Sequence, residues 1–398
     1  MTRKFTIRGN HVTVCPPIPD DVTELVISDT RLTSLPLLPS GLKKLDCVSN
    51  QLTSLPSFPS GLIKLVCDCN QLTSLPALPS GLKELDCESN QLTSLPALPS
   101  GLQILWCNDN QLTSLPALPS GLIKLDCDSN QLTSLPSLPS GLTLLGCGNN
   151  ELISLPVLPK ILKILYCGCN QWTSLPTLSG RLKKLDCSGN QLTSLPSLSG
   201  GLTILRCEGN QLTSLPTLPS GLKELDCAGN QLLSLPIVSS TLKDLGCGFN
   251  ELTSLPTLPS GLKELTCTGN QLTVLPPLPE GLNDFYYAGN PIVWCERIKD
   301  AERAGLDPKK VALLLRLACK AIARDEGVEV IQQSCDRWLD APITNDGRLG
   351  ILLRTFMCED LGHGTWNGQE MWNTTEDGKE IWAGNDVDKE VWSMYPPN

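Results

Sequence analysis

The sequence predicts an α/β repeat fold: a curved solenoid with a parallel β-sheet on its concave side and an extended, non-helical convex side, followed by a small C-terminal module of helices and a β-meander. Three observations predict the solenoid. One motif recurs every twenty residues, each copy places core residues two apart as a half-buried strand does, and nearly every copy ends with two prolines. Since proline interrupts helices, a repeat this short leaves no room for one.

The repeat has the pattern L-x-x-L-x-C-x-x-N-x-L-x-x-L-P-x-L-P-x-x, and thirteen full copies run from Val22 to Gly281. A further copy begins at Leu282 and loses the pattern after Asn290. Residues 1–21 fit the same slots more weakly, and we interpret them as a degenerate first coil or cap, as the ends of repeat arrays require. We therefore assign residues 22–294 to the solenoid.

Each slot of the repeat has a structural role. In one early copy, Leu45 and Cys47 lie two residues apart and are expected to face the core. Asn50 follows where the chain must bend away from the strand, and a buried amide there can both donate to and accept from the main chain. Pro56 and Pro59 then favour an extended return segment. Successive strands are expected to lie parallel, ~4.8 Å apart.

Twelve of the 19 cysteines occupy one slot, from Cys47 to Cys267. Neighbouring in-register positions on parallel strands do not suit the disulfide torsion, and one thiol per coil does not bring several metal ligands to one point. We therefore interpret these cysteines as small buried apolar side chains, and we expect neither a metal nor a cofactor. Free thiols in such number indicate a reducing compartment, which favours a cytoplasmic protein.

These copies are leucine-rich repeats, and the short form with LPxLP resembles the repeats of bacterial effectors of the YopM and IpaH type over residues 2 to 294. The cysteine slot departs from that pattern, because those effectors more often have an aliphatic residue there. The resemblance implies a protein-interaction scaffold that binds a partner protein on its concave face. It also implies the host cytosol as the place of action if the protein is exported.

The exposed side chains of the predicted sheet are the candidate binding residues, since solenoids of this kind bind on the concave surface. Acidic residues recur in the slot before the cysteine, and an apolar, aromatic interruption lies beside glycines 146 and 148. The candidate partner-binding residues are Trp106, Leu144, Ile164, Tyr166, Asp86, Asp126, Asp186 and Arg206. A charge-balanced, solvated face and simple sequence drift are the alternative interpretations, and a structural or decoy role without a ligand stays open.

The charge balance argues against several partner classes. The formal net charge is −10 and the isoelectric point is about 4.9, so general binding to nucleic acid or to an anionic membrane is not expected. The opening residues MTRKFTIRGN have no apolar leader, and no apolar run approaches the ~20 residues that cross a bilayer. We expect a soluble protein, and the sequence leaves its oligomeric state open.

The repeat pattern is absent after residue 294, and two further segments are predicted. Residues 295–360 form a helical module, in which Asp307 and Pro308 have the order of an N-cap and first helical residue. Residues 361–398 form a tail with tryptophans at ten-residue spacing, which we interpret as a small β-meander. No residue of this tail matches a metal or phosphate site.

One stretch of the C-terminal region supplies an alternative function. Cys358, Glu359 and Asp360 are similar to the Cys-x-Asp stretch of the ubiquitin-ligase domain in IpaH-type effectors. The resemblance implies that Cys358 would carry ubiquitin as a thioester and that Asp360 would assist proton transfer. The main prediction is a scaffold without a catalytic residue, and the alternative is an effector-type ubiquitin ligase that uses the repeats to read its substrate.

Overall fold

The computed structural model describes residues 3–279 and 281–292, together with four short strands between residues 365 and 382. Two compact units divide the chain: Met1–Gln271 with Pro279–Gly289, and Leu272–Leu278 with Asn290–Asn398. No helix occurs among the described residues, so none of them forms an apolar helix that could cross a bilayer.

The first unit is built on one parallel sheet whose fifteen strands lie side by side in the order of the sequence. The strands are β1 (Lys4–Arg8), β2 (Glu24–Ser28), β3 (Lys44–Asp46), β4 (Lys64–Val66), β5 (Glu84–Asp86), β6 (Ile104–Trp106), β7 (Lys124–Asp126), β8 (Leu144–Gly146), β9 (Ile164–Tyr166), β10 (Lys184–Asp186), β11 (Ile204–Arg206), β12 (Glu224–Asp226), β13 (Asp244–Gly246), β14 (Glu264–Thr266) and β15 (Asp284–Tyr286). This arrangement confirms the predicted solenoid of parallel strands.

The register of the sheet follows the sequence period without a slip. Leu45 pairs with Leu65, and Leu185 pairs with Leu205, twenty residues further along the chain. The same offset joins β1 to β2, where Phe5 lies opposite Leu25. Every slot of the repeat therefore forms a column that runs across the strands.

The core consists of columns of leucine and cysteine. In the coil of β7, Leu122, Leu125, Cys127 and Leu132 are fully buried, and equivalent residues are buried in the coils on both sides. Burial of a leucine side chain stabilises by ~1.5–3 kcal/mol. Trp172 occupies a leucine slot and is the one aromatic side chain that is fully buried among the described residues.

Buried asparagines join one coil to the next. The side-chain nitrogen of Asn130 donates to the carbonyl oxygens of Cys107 at 3.0 Å, Cys127 at 3.1 Å and Asp128 at 3.0 Å. Its side-chain oxygen accepts from the main-chain N–H of Leu112 at 2.9 Å. A buried polar group must be satisfied in this way, since an unpaired one costs about 1–3 kcal/mol. The pairing of the asparagine with the main chain was predicted from its position at the bend.

The residue before each asparagine has a left-handed backbone conformation. Ser49 has φ 55° and Phe249 has φ 52°, a region that residues with a side chain rarely adopt. The equivalent Gly209 has φ 62° without that steric cost. This bend is where the chain leaves the sheet.

Three coils have serine in place of the second proline, at residues 179, 199 and 239. The hydroxyl of Ser199 donates to the carbonyl oxygen of Gly180 at 2.8 Å and accepts from the N–H of Gly201 at 3.3 Å. A hydrogen bond to the preceding coil therefore takes the place of the fixed φ of proline.

The second unit contains two antiparallel strand pairs. Strand β16 (Thr365–Trp366) pairs with β17 (Gln369–Glu370), and β18 (Trp372–Thr374) pairs with β19 (Glu380–Trp382) with Trp372 opposite Trp382. The predicted helical module lies outside the described residues. The β-meander stays a prediction beyond these two pairs, as do the domain boundaries.

Candidate protein-binding face

The sheet presents one side to solvent. In the coil of β7, Lys124, Asp126 and Asp128 alternate with the buried Leu125 and Cys127 and are exposed or half-buried. We name this side the open face; it comprises the residues at positions 44, 46 and 48 and their equivalents at steps of twenty, through 264, 266 and 268. Its side chains are placed by the short strands, whose fixed register sets their spacing at ~4.8 Å per coil.

The open face is strongly acidic, with thirteen carboxylates and five cationic side chains. The carboxylates concentrate in the columns that begin at positions 46 and 48, where Arg206 is the one cation. These carboxylates are Asp46, Asp86, Asp126, Asp186, Asp226, Asp68, Glu88, Asp128 and Glu208. Lysines instead line the position before the strand, and all of them are exposed. They are Lys43, Lys83, Lys163, Lys183, Lys223, Lys243 and Lys263.

Partial burial and neighbouring negative charges disfavour ionisation of Asp86 and Asp128. Burial, with the charges of Asp68 and Glu88, raises the pKa of Asp86 to about 7. Burial and the adjacent carboxylate of Asp126 raise the pKa of Asp128 to about 7, and Asp186 contributes to the same shift. A positive charge placed beside Asp86 or Asp128 would favour their ionised forms.

The ion pairs of the described residues do not neutralise this region. Lys64 pairs with Glu84 at 2.5 Å, and Arg206 pairs with Glu224 at 2.6 Å. Among the described residues, the four central aspartates form no ion pair. These aspartates are Asp86, Asp126, Asp128 and Asp186.

The structure brings three of the four predicted apolar residues together. Leu144 lies opposite Ile164 on neighbouring strands, and Tyr166 follows on the same strand as Ile164. Trp106 is separated from them by β7, and the side-chain nitrogen of Lys124 lies 6.0 Å from the centre of its ring. All four side chains are half-buried. They form a small semi-apolar surface rather than a fully exposed patch.

Glycines beside Tyr166 create a depression in the open face. Gly146 and Gly148 are buried, and Gly168 continues the glycine column on the next coil. A Cβ atom at position 146 would lie 2.5 Å from the Oδ1 atom of Asp126, so a larger residue would displace that carboxylate. The main-chain N–H of Gly148 donates to Oδ1 of Asp128 at 2.5 Å.

The opposite side of the depression is also acidic. Asp186 follows Tyr166 in the same row of the sheet, and its Oδ1 atom would lie 3.2 Å from a Cβ atom at position 168. Ser188 donates its hydroxyl to that Oδ1 at 2.6 Å. We name this site the acidic trough: a floor of Gly146, Gly148 and Gly168, with walls of Asp126, Asp128 and Asp186. The sequence places the three aspartates there, but the way they lean over the glycines depends on rotamers that the pattern does not encode.

The cysteine column offers no reactive or metal-binding group in the described residues. No disulfide joins the described cysteines, and the thiol of Cys127 donates to the carbonyl oxygen of Gly146 at 3.2 Å. Burial raises the pKa of the Cys127 thiol well above its usual value, which disfavours the reactive thiolate. Among the described residues, no group of three or more His, Cys, Asp or Glu side chains is arranged for a metal ion. Cys358 and Asp360 lie outside the described residues, so the ligase alternative stays a prediction.

Comparisons with known proteins agree with this architecture. The family model for the Leucine Rich Repeat matches residues 181–202. No curated protein sequence matches the chain. The solved structure of InlJ from Listeria monocytogenes, whose functional domain includes a cysteine ladder, has a TM-score of 0.56 and 27% identity over 64% of each chain.

Two structures of YopM are more similar. YopM from Yersinia enterocolitica has a TM-score of 0.69 and 38% identity, covering 70% of this chain and 62% of that one. YopM from Yersinia pestis, a leucine-rich effector protein, has a TM-score of 0.63 and 33% identity, covering 68% of this chain and 84% of that one. The chain therefore belongs to the YopM-type family of bacterial leucine-rich repeat effector proteins.

Proposed function

We propose that this protein is a binding scaffold that holds a partner protein against the open face of its sheet. The observation that carries the proposal is the excess of carboxylates on that face, thirteen against five cations, with four central aspartates outside any ion pair of the described residues. A stable unliganded surface has no need of such repulsion. A partner with complementary charge would lower its energy and would be steered towards it.

The semi-apolar surface also favours the open face as the partner-binding face. Tyr166 lies in an acidic column, and Leu144 and Ile164 lie in the neighbouring column of the same face. An aromatic group surrounded by polar residues is the usual composition of an energetically dominant contact. Charge alone gives steering and salt-sensitive binding, whereas burial of such a centre adds affinity that salt does not remove.

Kinship with YopM supports an effector role, and we propose that the partner is a host protein in the cytosol. The free, fully buried thiols of the core, such as Cys127, agree with a reducing compartment. YopM of Yersinia enterocolitica is longer than the region matched here, so the activities of that whole protein are not assumed.

Site-specific photocrosslinking tests the proposal. A photoreactive amino acid is placed at Lys124 or Glu264, which are exposed on the open face, and at Val157 or Ile237, which are 90% exposed outside the sheet. We expect the full-length protein to crosslink one partner from a eukaryotic cytosolic extract through the open-face positions. Crosslinks confined to the outer positions, or the absence of any saturable crosslink, would contradict the proposal.

A further inference from the structure

We propose that the acidic trough binds an arginine side chain presented by the partner protein. This inference rests on the proposed function, because the trough is part of the open face. It goes further in assigning the chemical group that the face recognises and the residues that recognise it.

The floor of the trough is main chain rather than side chain. Gly146 and Gly148 occupy two slots of one coil, and Gly168 occupies a slot of the next. A Cβ atom at position 168 would lie 2.7 Å from the hydroxyl oxygen of Ser188, as one at 146 would crowd Asp126. The glycines therefore set the depth of the site and the positions of its acidic walls.

The three aspartates that form the walls supply several hydrogen-bond acceptors and carry no positive charge. Asp126 and Asp186 lie in the same row, three strands apart, which corresponds to ~14 Å between their main chains. Their side chains and that of Asp128 extend over the intervening glycines from both sides. A guanidinium group carries five N–H donors in one plane and can bind carboxylates on more than one side.

The apolar part of the site fits the rest of an arginine. Leu144 and Ile164 form one pair of neighbours beside the trough, and Tyr166 lies between Gly146 and Asp186 in the row of the sheet. The aliphatic stem of arginine can pack on such side chains, and its planar head stacks on aromatic rings. Lysine has the charge but not the planar head, so the geometry favours arginine.

Three basic side chains of the open face lie near the trough, and among the described residues none forms an ion pair with the aspartates of the trough. Lys184 lies at the start of β10, two residues before the last of these aspartates. Lys124 lies over the ring of Trp106 at 6.0 Å, on the side of β7 away from the glycines. Arg206 is held by Glu224, to which its Nε donates at 2.7 Å. The partner therefore has to supply the positive charge.

A second glycine pair on the same face provides an internal comparison. Gly246 and Gly248 repeat the floor, and a Cβ atom at 246 would lie 2.8 Å from Oδ1 of Asp226. The equivalent of Asp128 is Ala228 there, and the far wall begins with Thr266 in place of an aromatic residue. This second depression has one carboxylate wall, and we expect it to bind arginine much more weakly.

Peptide selection on the intact chain tests the inference. A display library of random twelve-residue peptides is selected on the full-length protein, on the double variant Asp126→Asn/Asp128→Asn, and on Asp46→Asn/Glu264→Gln. The last pair removes the same charge from the open face outside the trough. Asparagine keeps the acceptor oxygen that Gly148 uses, so thermal unfolding should show that all three proteins are folded.

We expect peptides selected on the wild type and on the control pair to share an arginine. Its replacement by alanine should weaken binding about tenfold or more, since charge-assisted hydrogen bonds to two or more carboxylates are lost. Replacement by lysine should weaken binding less, and the Asp126→Asn/Asp128→Asn variant should lose the preference for arginine.

Four results would overturn the inference. They are selected peptides without a shared basic residue, equal affinity for the arginine and lysine peptides, arginine peptides that bind the trough variant as well as the wild type, and displacement of the peptide from the wild type alone by millimolar calcium chloride. Self-association that the trough variant abolishes would identify a second copy as the occupant and would also overturn it. If open-face crosslinking persists in any of these cases, the proposed function stands and only the arginine assignment fails.

Discussion

The two sides of the sheet differ in how much they vary from coil to coil. On the buried side, Leu125, Cys127 and Asn130 have the same neighbours as their equivalents in almost every other coil. On the open side, the neighbours of Asp126 are an aromatic residue on one strand and a glycine on the other. The periodic residues therefore determine the fold, whereas the departures from the period distinguish one part of the open face from another.

The largest expected effect on stability is the difference between replacing a buried asparagine and replacing an asparagine on the open face. Asn130→Ala leaves the buried N–H of Leu112 without its acceptor and removes three further hydrogen bonds to the main chain, although the carbonyl oxygens of Cys107 and Cys127 each keep one asparagine donor. We expect a loss of about 3 kcal/mol or more in the free energy of unfolding. Asn108→Ala on the open face should cost about 0.5 kcal/mol or less. Urea denaturation of both variants measures the difference, and equal losses would contradict the distinction between the sides.

The next effect compares a thiol with a hydroxyl in the core. Cys127 is fully buried, and serine at this position would place a more polar group among leucines. We expect Cys127→Ser to lose about 1–2 kcal/mol of stability and Cys127→Ala to lose less. The measurement is chemical denaturation under reducing conditions. A serine variant as stable as the wild type would show that the hydroxyl is satisfied as well as the thiol.

The contribution of the open face to folding stability should increase as the pH falls, whereas ion-paired carboxylates would lose stability as the pH falls. The pKa of Asp128 in the folded protein is about 7, above its ordinary value of 3.8, so the folded state holds this proton more tightly than the unfolded chain. Stability is therefore gained as the pH falls from 8 towards 5 and lost as it rises. Asp126, Asp186 and Asp109 face the same group and strengthen the trend.

Asp128→Asn checks this sign. At pH 8 the variant should be more stable than the wild type by about 1 kcal/mol, after allowance for solvent screening, and its melting temperature should depend less on pH between 5 and 8. The matched control is Asp46→Asn on the same face. A wild-type melting temperature that rises steadily from pH 5 to 8 would contradict the prediction.

The smallest effect concerns the bend that joins the two sides. Ser49 has φ 55°, so Ser49→Gly should relieve steric strain and raise stability by about 0.5 kcal/mol. Ser54→Gly, five residues later, has no such strain to relieve and should lower stability by a similar amount. Thermal unfolding of the pair measures the difference, and a loss in both variants would refute the expected relief of strain.

The fold and the candidate site were predictable to different degrees. The period of twenty and the alternation of Leu45 with Cys47 specify strand direction, register and core, because each slot has the same neighbours in every coil. The position of Asp126 and Tyr166 on the open face follows from the same alternation. The period could not show that Lys124 leans towards Trp106, because rotamers depend on both neighbouring coils.

The acidic trough could be predicted only in part from the sequence. The glycines at 146 and 148 were visible in the sequence as an interruption, and the aspartates as a recurring column. Their combination depends on side-chain conformations that bring the carboxylate of Asp126 within 2.5 Å of where a Cβ atom of residue 146 would lie. The contribution of Asp186 to the raised pKa of Asp128 likewise depends on their separation in space, since the two residues are far apart in the sequence.

The unbroken register allows the distance between binding residues on the open face to change in fixed steps. Because each twenty-residue coil adds one strand in phase with the last, inserting or deleting a coil between Asp126 and Asp186 would move these two side chains apart or together by ~4.8 Å without reorienting either. Recombination between near-identical copies can make such changes without inventing a new core. The spacing between binding residues on the sheet can therefore change in steps of one coil. Binding specificity can change through the number of coils as well as through substitution.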